Sequence, residues 1–144
     1  MEKKSALAVM LKAPLPGKVK TRLCPPLTPE EAAALYRCFI MDIFRRIASL
    51  GGLDIFAAYS PEGGGKGLTG LIPEGVRRFP QEGAGMGERL FNVFKRMSAA
   101  GYKKTAVIGS DSPDMPVERI NEALDYLDGG IDAVFGPARD GGYY

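Results

Sequence analysis

Residues 6–11, Ala-Leu-Ala-Val-Met-Leu, form an unbroken apolar run, and it constrains the fold more than any other stretch. A strand with one wet face alternates polar and apolar side chains. A strand apolar throughout is covered on both faces, as happens inside a parallel sheet with helices above and below. Similar but weaker runs follow at 54–59, 76–80, 105–109 and 132–135. Helical patterns lie between them. Thr28-Pro29-Glu30-Glu31 reads as a helix start, with Thr as N-cap, Pro at the first helical position and Glu31 placed for a capping box; the helix should run to about Leu50, before Gly51-Gly52. Met86, Leu90, Val93, Phe94 and Met97 recur at helical spacing, and 116–127 is a further helix with Pro near its start. Strands alternating with helices predict a three-layer α/β/α fold with a mainly parallel, Rossmann-like sheet.

A chain of 144 residues fits one domain, 1–144, at the small end for a nucleotide-binding enzyme. No apolar run is long enough to span a bilayer, and the charged Met1-Glu2-Lys3-Lys4 start leads into a run of only seven residues, 5–11, that reads as a buried strand rather than a signal peptide. With 19 basic against 17 acidic residues, the balance gives no sign of nucleic acid or an anionic membrane as partner, so any polyanion recognition is local. Two cysteines, Cys24 and Cys38, without metal-ligand spacing point to free thiols and a cytoplasmic location. The chain has no His, which removes Ser-His-Asp and Cys-His chemistry and His-rich zinc sites. Carboxylates, Lys and Arg must carry any chemistry.

Those groups concentrate at the predicted carboxyl ends of strands, where open α/β sheets bind ligands. The loop after the first strand holds four cations, Lys12, Lys18, Lys20 and Arg22, together with Gly17 and Thr21. It reads as an anion-binding loop in preference to a merely solvated basic one. It lacks the glycine and Ser/Thr spacing of a Walker A loop. Gly63-Gly64-Gly65-Lys66-Gly67 is read as a mobile connector. Gly83, Gly85 and Gly87, ahead of Glu88-Arg89, permit either close backbone approach to a ligand or a plain strand-to-helix turn. The run Val107-Ile108-Gly109-Ser110-Asp111-Ser112-Pro113-Asp114 carries a strand into a turn with two carboxylates. Asp111, nearer the strand end, is the candidate metal ligand, and Asp114 a helix cap or an orienting partner. Asp140, past the fifth predicted strand, is expected at the same sheet edge, and three carboxylates there suggest Mg²⁺ or Mn²⁺.

Four segments also resemble a known bacterial family of glycosyltransferase-A-fold proteins, often labelled arsenosugar-biosynthesis glycosyltransferases: Lys12-Ala13-Pro14 with Pro16-Gly17 and Val19-Lys20-Thr21-Arg22-Leu23; Gly87-Glu88-Arg89; Gly109-Ser110-Asp111-Ser112-Pro113-Asp114; and Gly136-Pro137-Ala138 with Asp140-Gly141-Gly142-Tyr143-Tyr144. The resemblance covers essentially the whole chain, in order. It implies a nucleotide-diphospho-sugar transferase-like fold, related to the guanylyltransferases of molybdenum-cofactor and 2-phospholactate metabolism. It also implies a loop at 12–22 that holds the nucleotide and its phosphates, Asp111 as the metal-binding aspartate, and Asp140-Gly141-Gly142 in the acceptor or sugar region. Such proteins continue past Tyr144 into a strand lying between the fourth and fifth, so the chain is expected to be the N-terminal, nucleotide-binding part of a longer domain.

Together these readings predict a metal-dependent transferase with a nucleotide-activated donor, first a nucleotide-sugar glycosyltransferase. The alternatives are a nucleotidyltransferase acting on a nucleoside triphosphate, or a truncated module that binds a nucleotide or a partner without catalysis. The expected nucleotide-binding set is Lys12, Pro14, Gly17, Lys20, Thr21, Arg22, Gly85 and Arg89. Lys20, Arg22 and Asp111 form the catalytic set, Asp111 is the ligand for Mg²⁺ or Mn²⁺, and Asp114, Asp140, Gly141 and Gly142 serve the acceptor or support the site. A small-molecule acceptor and a homodimer through an exposed sheet edge complete the expectations.

Overall fold

The computed structural model describes residues 5–144, and the Met1–Lys4 start lies outside the described residues. Among the described residues four strands, β1 Ser5–Leu11, β2 Leu53–Tyr59, β3 Arg77–Pro80 and β4 Thr105–Ile108, form one sheet in the order β3-β2-β1-β4. Every pairing is parallel: Leu11 lies opposite Tyr59, Tyr59 opposite Pro80, and Val9 opposite Ile108. Three α-helices accompany them: α1 Pro29–Ile47 links β1 to β2, α2 Met86–Ala99 links β3 to β4, and α3 Glu118–Asp128 follows β4. None is long and apolar enough to cross a membrane.

The apolar run of β1 sorts its side chains by size. Leu7, Val9 and Leu11 join a large cluster with Tyr36, Ile40, Phe44 and Ile47 of α1 and Ile120 and Leu124 of α3. Ala6 and Ala8 face the other way, toward Phe56, Phe79 and the Val93 and Met97 side chains of α2. The small Ala6 and Ala8 thus meet aromatic rings and α2 side chains, while the larger Leu and Val side chains face α1 and α3. The sheet is therefore covered on both faces, as the run requires.

The predicted start of α1 is realised in full: Thr28 Oγ1 accepts from the Glu31 amide at 3.1 Å, and Glu31 returns the bond to the Thr28 amide at 2.9 Å. The helix ends at Ile47 rather than Leu50, because the Ser49 hydroxyl takes the Arg46 carbonyl at 2.8 Å and tightens the last turn. The α2 pattern is less buried than its spacing suggests. Val93 and Met97 are in the core, but Met86 and Phe94 are exposed.

The predicted fifth strand at 132–135 does not form. Those residues make no ladder with the sheet, and β4 has only β1 beside it among the described residues. An apolar, β-branched segment becomes a strand only when a neighbour takes its amides and carbonyls. Instead 136–144 folds back on itself: Pro137 bridges Tyr143 antiparallel, the Tyr144 amide reaches Gly136 O at 2.8 Å, and Phe135 and Tyr143 stack edge to face at 5.3 Å.

Candidate functional site

Strand order alone points to a candidate site. From β1 to β2 to β3 the chain steps outward in one direction, and β4 then crosses back to pair with the opposite side of β1. At such a reversal open α/β sheets place ligands beside the loops that leave the carboxyl ends of the two central strands. The loops concerned are those after β1 and β4, which hold Lys12 to Arg22 and Gly109 to Asp114.

The first loop is shaped by its own residues. Leu15-Pro16-Gly17-Lys18 is a tight turn closed by a 3.0 Å bond from the Lys18 amide to Leu15 O, and Gly17 takes the positive φ of +77° that the turn demands. Val19 is buried and anchors the loop in the core. Lys20 is in the left-handed region at φ 52°, the single non-glycine residue with positive φ among the described residues, and it opens a 3-10 turn over Thr21–Leu23. A bulky side chain held there marks a position fixed by its surroundings. Lys12, Lys18, Thr21 and Arg22 are exposed, and among the described residues no carboxylate pairs with Lys12, Lys18 or Arg22.

Lys20 crosses to the β4 loop. Its ammonium pairs with Asp111 and lies 5.5 and 5.6 Å from the ring centroids of Tyr36 and Phe39. The lysine side chain is 18% exposed and the aspartate 76%. Tyr36 was not anticipated from sequence. Its hydroxyl accepts a 3.0 Å bond from the Lys12 amide and shares a 2.7 Å bond with the buried Ser110 hydroxyl, so one α1 side chain pins the exits of both β1 and β4. Burial pushes the Tyr36 hydroxyl above its ordinary 10.0, against the pull of its bonds with Ser110 and Lys12; the Asp111 charge adds to the rise. The group therefore stays neutral and keeps its proton for this bridge.

The 63–67 segment is not a free connector. Gly65–Leu68 is a 3-10 turn, Leu68 is fully buried, and a Cβ on Gly67 would stand 2.7 Å from that of Ala13. These glycines are what let the segment lie against the base of the first loop. At the start of α2 the glycine turn is closed by the helix itself. Arg89 Nε donates to Gly83 O at 3.0 Å, the Ala84 amide donates to Glu88 at 2.9 Å, and Gly83, at φ +135°, has no room for a side chain beside the Arg89 amide. Gly85 caps α2 through backbone alone. Arg89 also pairs with Glu62 at 2.9 Å and reaches the Ser60 hydroxyl at 3.3 Å. The Arg89 guanidinium, helped by the Ser60 hydroxyl, which also donates to Glu62, holds the Glu62 carboxyl at about 2, below its usual 4.5.

The other acids do not join Asp111. Asp114 is exposed and does not cap the following helix, whose N-cap is Val117 without a side-chain bond; it lines a shallow groove with Arg45, Arg46 and Glu118. Asp140 Oδ1 accepts from the Gly142 amide at 3.0 Å, holding a turn in which Gly141 has φ +88°. Among the described residues no three Asp, Glu, Cys or His come together as a metal-holding group. A Mg²⁺ site asks for less than that when a diphosphate supplies oxygens: one or two carboxylates suffice, with phosphate and water completing the octahedron. The exposed Asp111 carboxylate fits that demand.

Comparison with known proteins agrees with the fold. The chain is similar to a solved candidate nucleotide-diphospho-sugar transferase from Desulfovibrio desulfuricans G20, with 37% identity and a TM-score of 0.89 over all of this chain and 62% of that one. The chain thus spans under two thirds of that relative's length, and the two share the nucleotide-diphospho-sugar transferase-like architecture. No curated protein matches. A family model described as an uncharacterized protein conserved in bacteria (DUF2064) matches residues 43–144, well over half the sequence, and the chain belongs to that family.

Proposed function

We propose that this chain carries the donor-binding part of a metal-dependent transferase that uses a nucleotide-activated donor, with a nucleotide sugar as first choice. The observation that supports it is the meeting of the cationic loop after β1 with the Asp111 turn after β4, joined through Lys20 and Tyr36, at the crevice where the strand order reverses. The kinship with the Desulfovibrio protein points the same way.

In this reading Asp111 would hold Mg²⁺ or Mn²⁺ against the donor diphosphate. The cation would neutralise the charge that grows as the carbon–oxygen bond to the diphosphate breaks and a nucleoside diphosphate departs with the electron pair. Lys20 and Arg22 act on the same charge from the protein side. Lys12, Thr21 and the turn at Pro14 and Gly17 cradle the phosphates, with Gly85 and Arg89 bordering the nucleotide. Asp140, Gly141 and Gly142 serve a small-molecule acceptor, and Asp114 supports the β4 turn. The three loop cations without a carboxylate partner also suit a triphosphate, so a nucleotidyltransferase that releases pyrophosphate is the second reading.

A thermal-shift panel of nucleoside triphosphates and nucleotide sugars, with and without Mn²⁺, separates the two, because a ligand specific to the folded state raises the Tm. Stabilisation by nucleotide sugars in Mn²⁺, lost in Asp111→Asn, is the expected result. A folded protein that responds to neither class, or keeps full metal dependence in Asp111→Asn, contradicts the assignment.

A further inference from the structure

The Lys20–Asp111 pair sets a condition on what the crevice can accept. The two charges satisfy each other, and the ammonium is confined beside the Tyr36 and Phe39 rings by a backbone fixed in the left-handed region. A divalent cation that takes Asp111 by itself removes the lysine's counter-charge and sets a like charge beside it. A diphosphate that takes Lys20 by itself leaves the Asp111 carboxylate facing phosphate oxygens. Each component alone therefore breaks an ion pair and creates a repulsion. A complex of the two replaces both lost partners at once, with the metal on the carboxylate and phosphate oxygen on the ammonium.

We propose that the pair acts as a joint selector, admitting a divalent-cation–diphosphate complex as one ligand and discriminating against either component alone. This rests on the transferase reading above in taking Asp111 as the metal-side group. It adds that Lys20 competes with the cation for Asp111, and Asp111 with the phosphate for Lys20. The resulting coupling is reciprocal: cation and diphosphate raise each other's affinity by the same factor.

Calorimetric titration of the whole chain with Mn²⁺, with metal-free pyrophosphate and with their mixture tests it. Removing one partner must improve binding of the component that partner opposes. Mn²⁺ alone binds Lys20→Met about fivefold more tightly than wild type, and metal-free pyrophosphate binds Asp111→Asn about fivefold more tightly, the range an ion pair of this exposure supports. Damage to the fold lowers affinities and cannot produce two such gains. If the mixture binds wild type but neither variant gains, the selector is overturned while the donor site stands. If wild type binds none of the three probes, both are overturned.

Discussion

Tyr36 concentrates much of what the site requires in one side chain. Its hydroxyl serves a half-buried backbone amide and a buried serine just past the ends of two strands that are distant in sequence. Tyr36→Phe keeps the ring beside Lys20 but leaves the Lys12 amide and Ser110 hydroxyl without this partner, which costs roughly 1–3 kcal/mol. Urea unfolding checks the loss. Nothing local in the sequence announces the role: Tyr36 sits at an ordinary core position of a helix, and the bond to Ser110 spans 74 positions. The places of Asp111, close after β4, and of Lys20, in the loop that follows β1, could by contrast be read from local pattern. Glu62 yields a pH prediction. Its folded value, about 2, lies below the 4.5 of a free carboxyl, so the folded state binds fewer protons in that range. The stabilisation is present above pH 4.5 and lost as pH falls toward about 2. The stability gap between wild type and Glu62→Gln should close across that window, and a gap that stays constant would show that Arg89 and Ser60 do not hold the charge.

Elements were legible where the signal is local. The Thr28–Glu31 capping box and the apolar run 6–11 of β1 needed no tertiary information, and both formed as read. The 132–135 strand failed because strand formation depends on a neighbour that local sequence does not encode. The 63–67 segment failed in the other direction: glycine richness suggested mobility, whereas close approach to Ala13 is what the glycines provide. Gly67→Ala places a methyl 2.7 Å from the Ala13 Cβ and should destabilise by about 1–3 kcal/mol, with Ala13→Gly restoring part of the loss. Thermal or urea unfolding of the two single variants and the double variant reads the coupling. Additive losses would mean the two segments do not support each other.

For the molecule as a whole, the candidate site rests on one topological fact, the reversal of strand order between β1 and β4. The order itself could not be read from sequence, because each βα unit looks alike until the sheet is assembled. What could be read was that loops after strands carry the charges. Hydrogen exchange with a nucleotide sugar and Mn²⁺ asks where on the whole surface the ligand sits. Amides of 12–23 and 109–111 should exchange more slowly in its presence, with α3 and the 136–144 turn little changed. Protection confined to the groove lined by Arg45, Arg46 and Asp114, with the two loops unaffected, would contradict a donor site at the β1–β4 crevice.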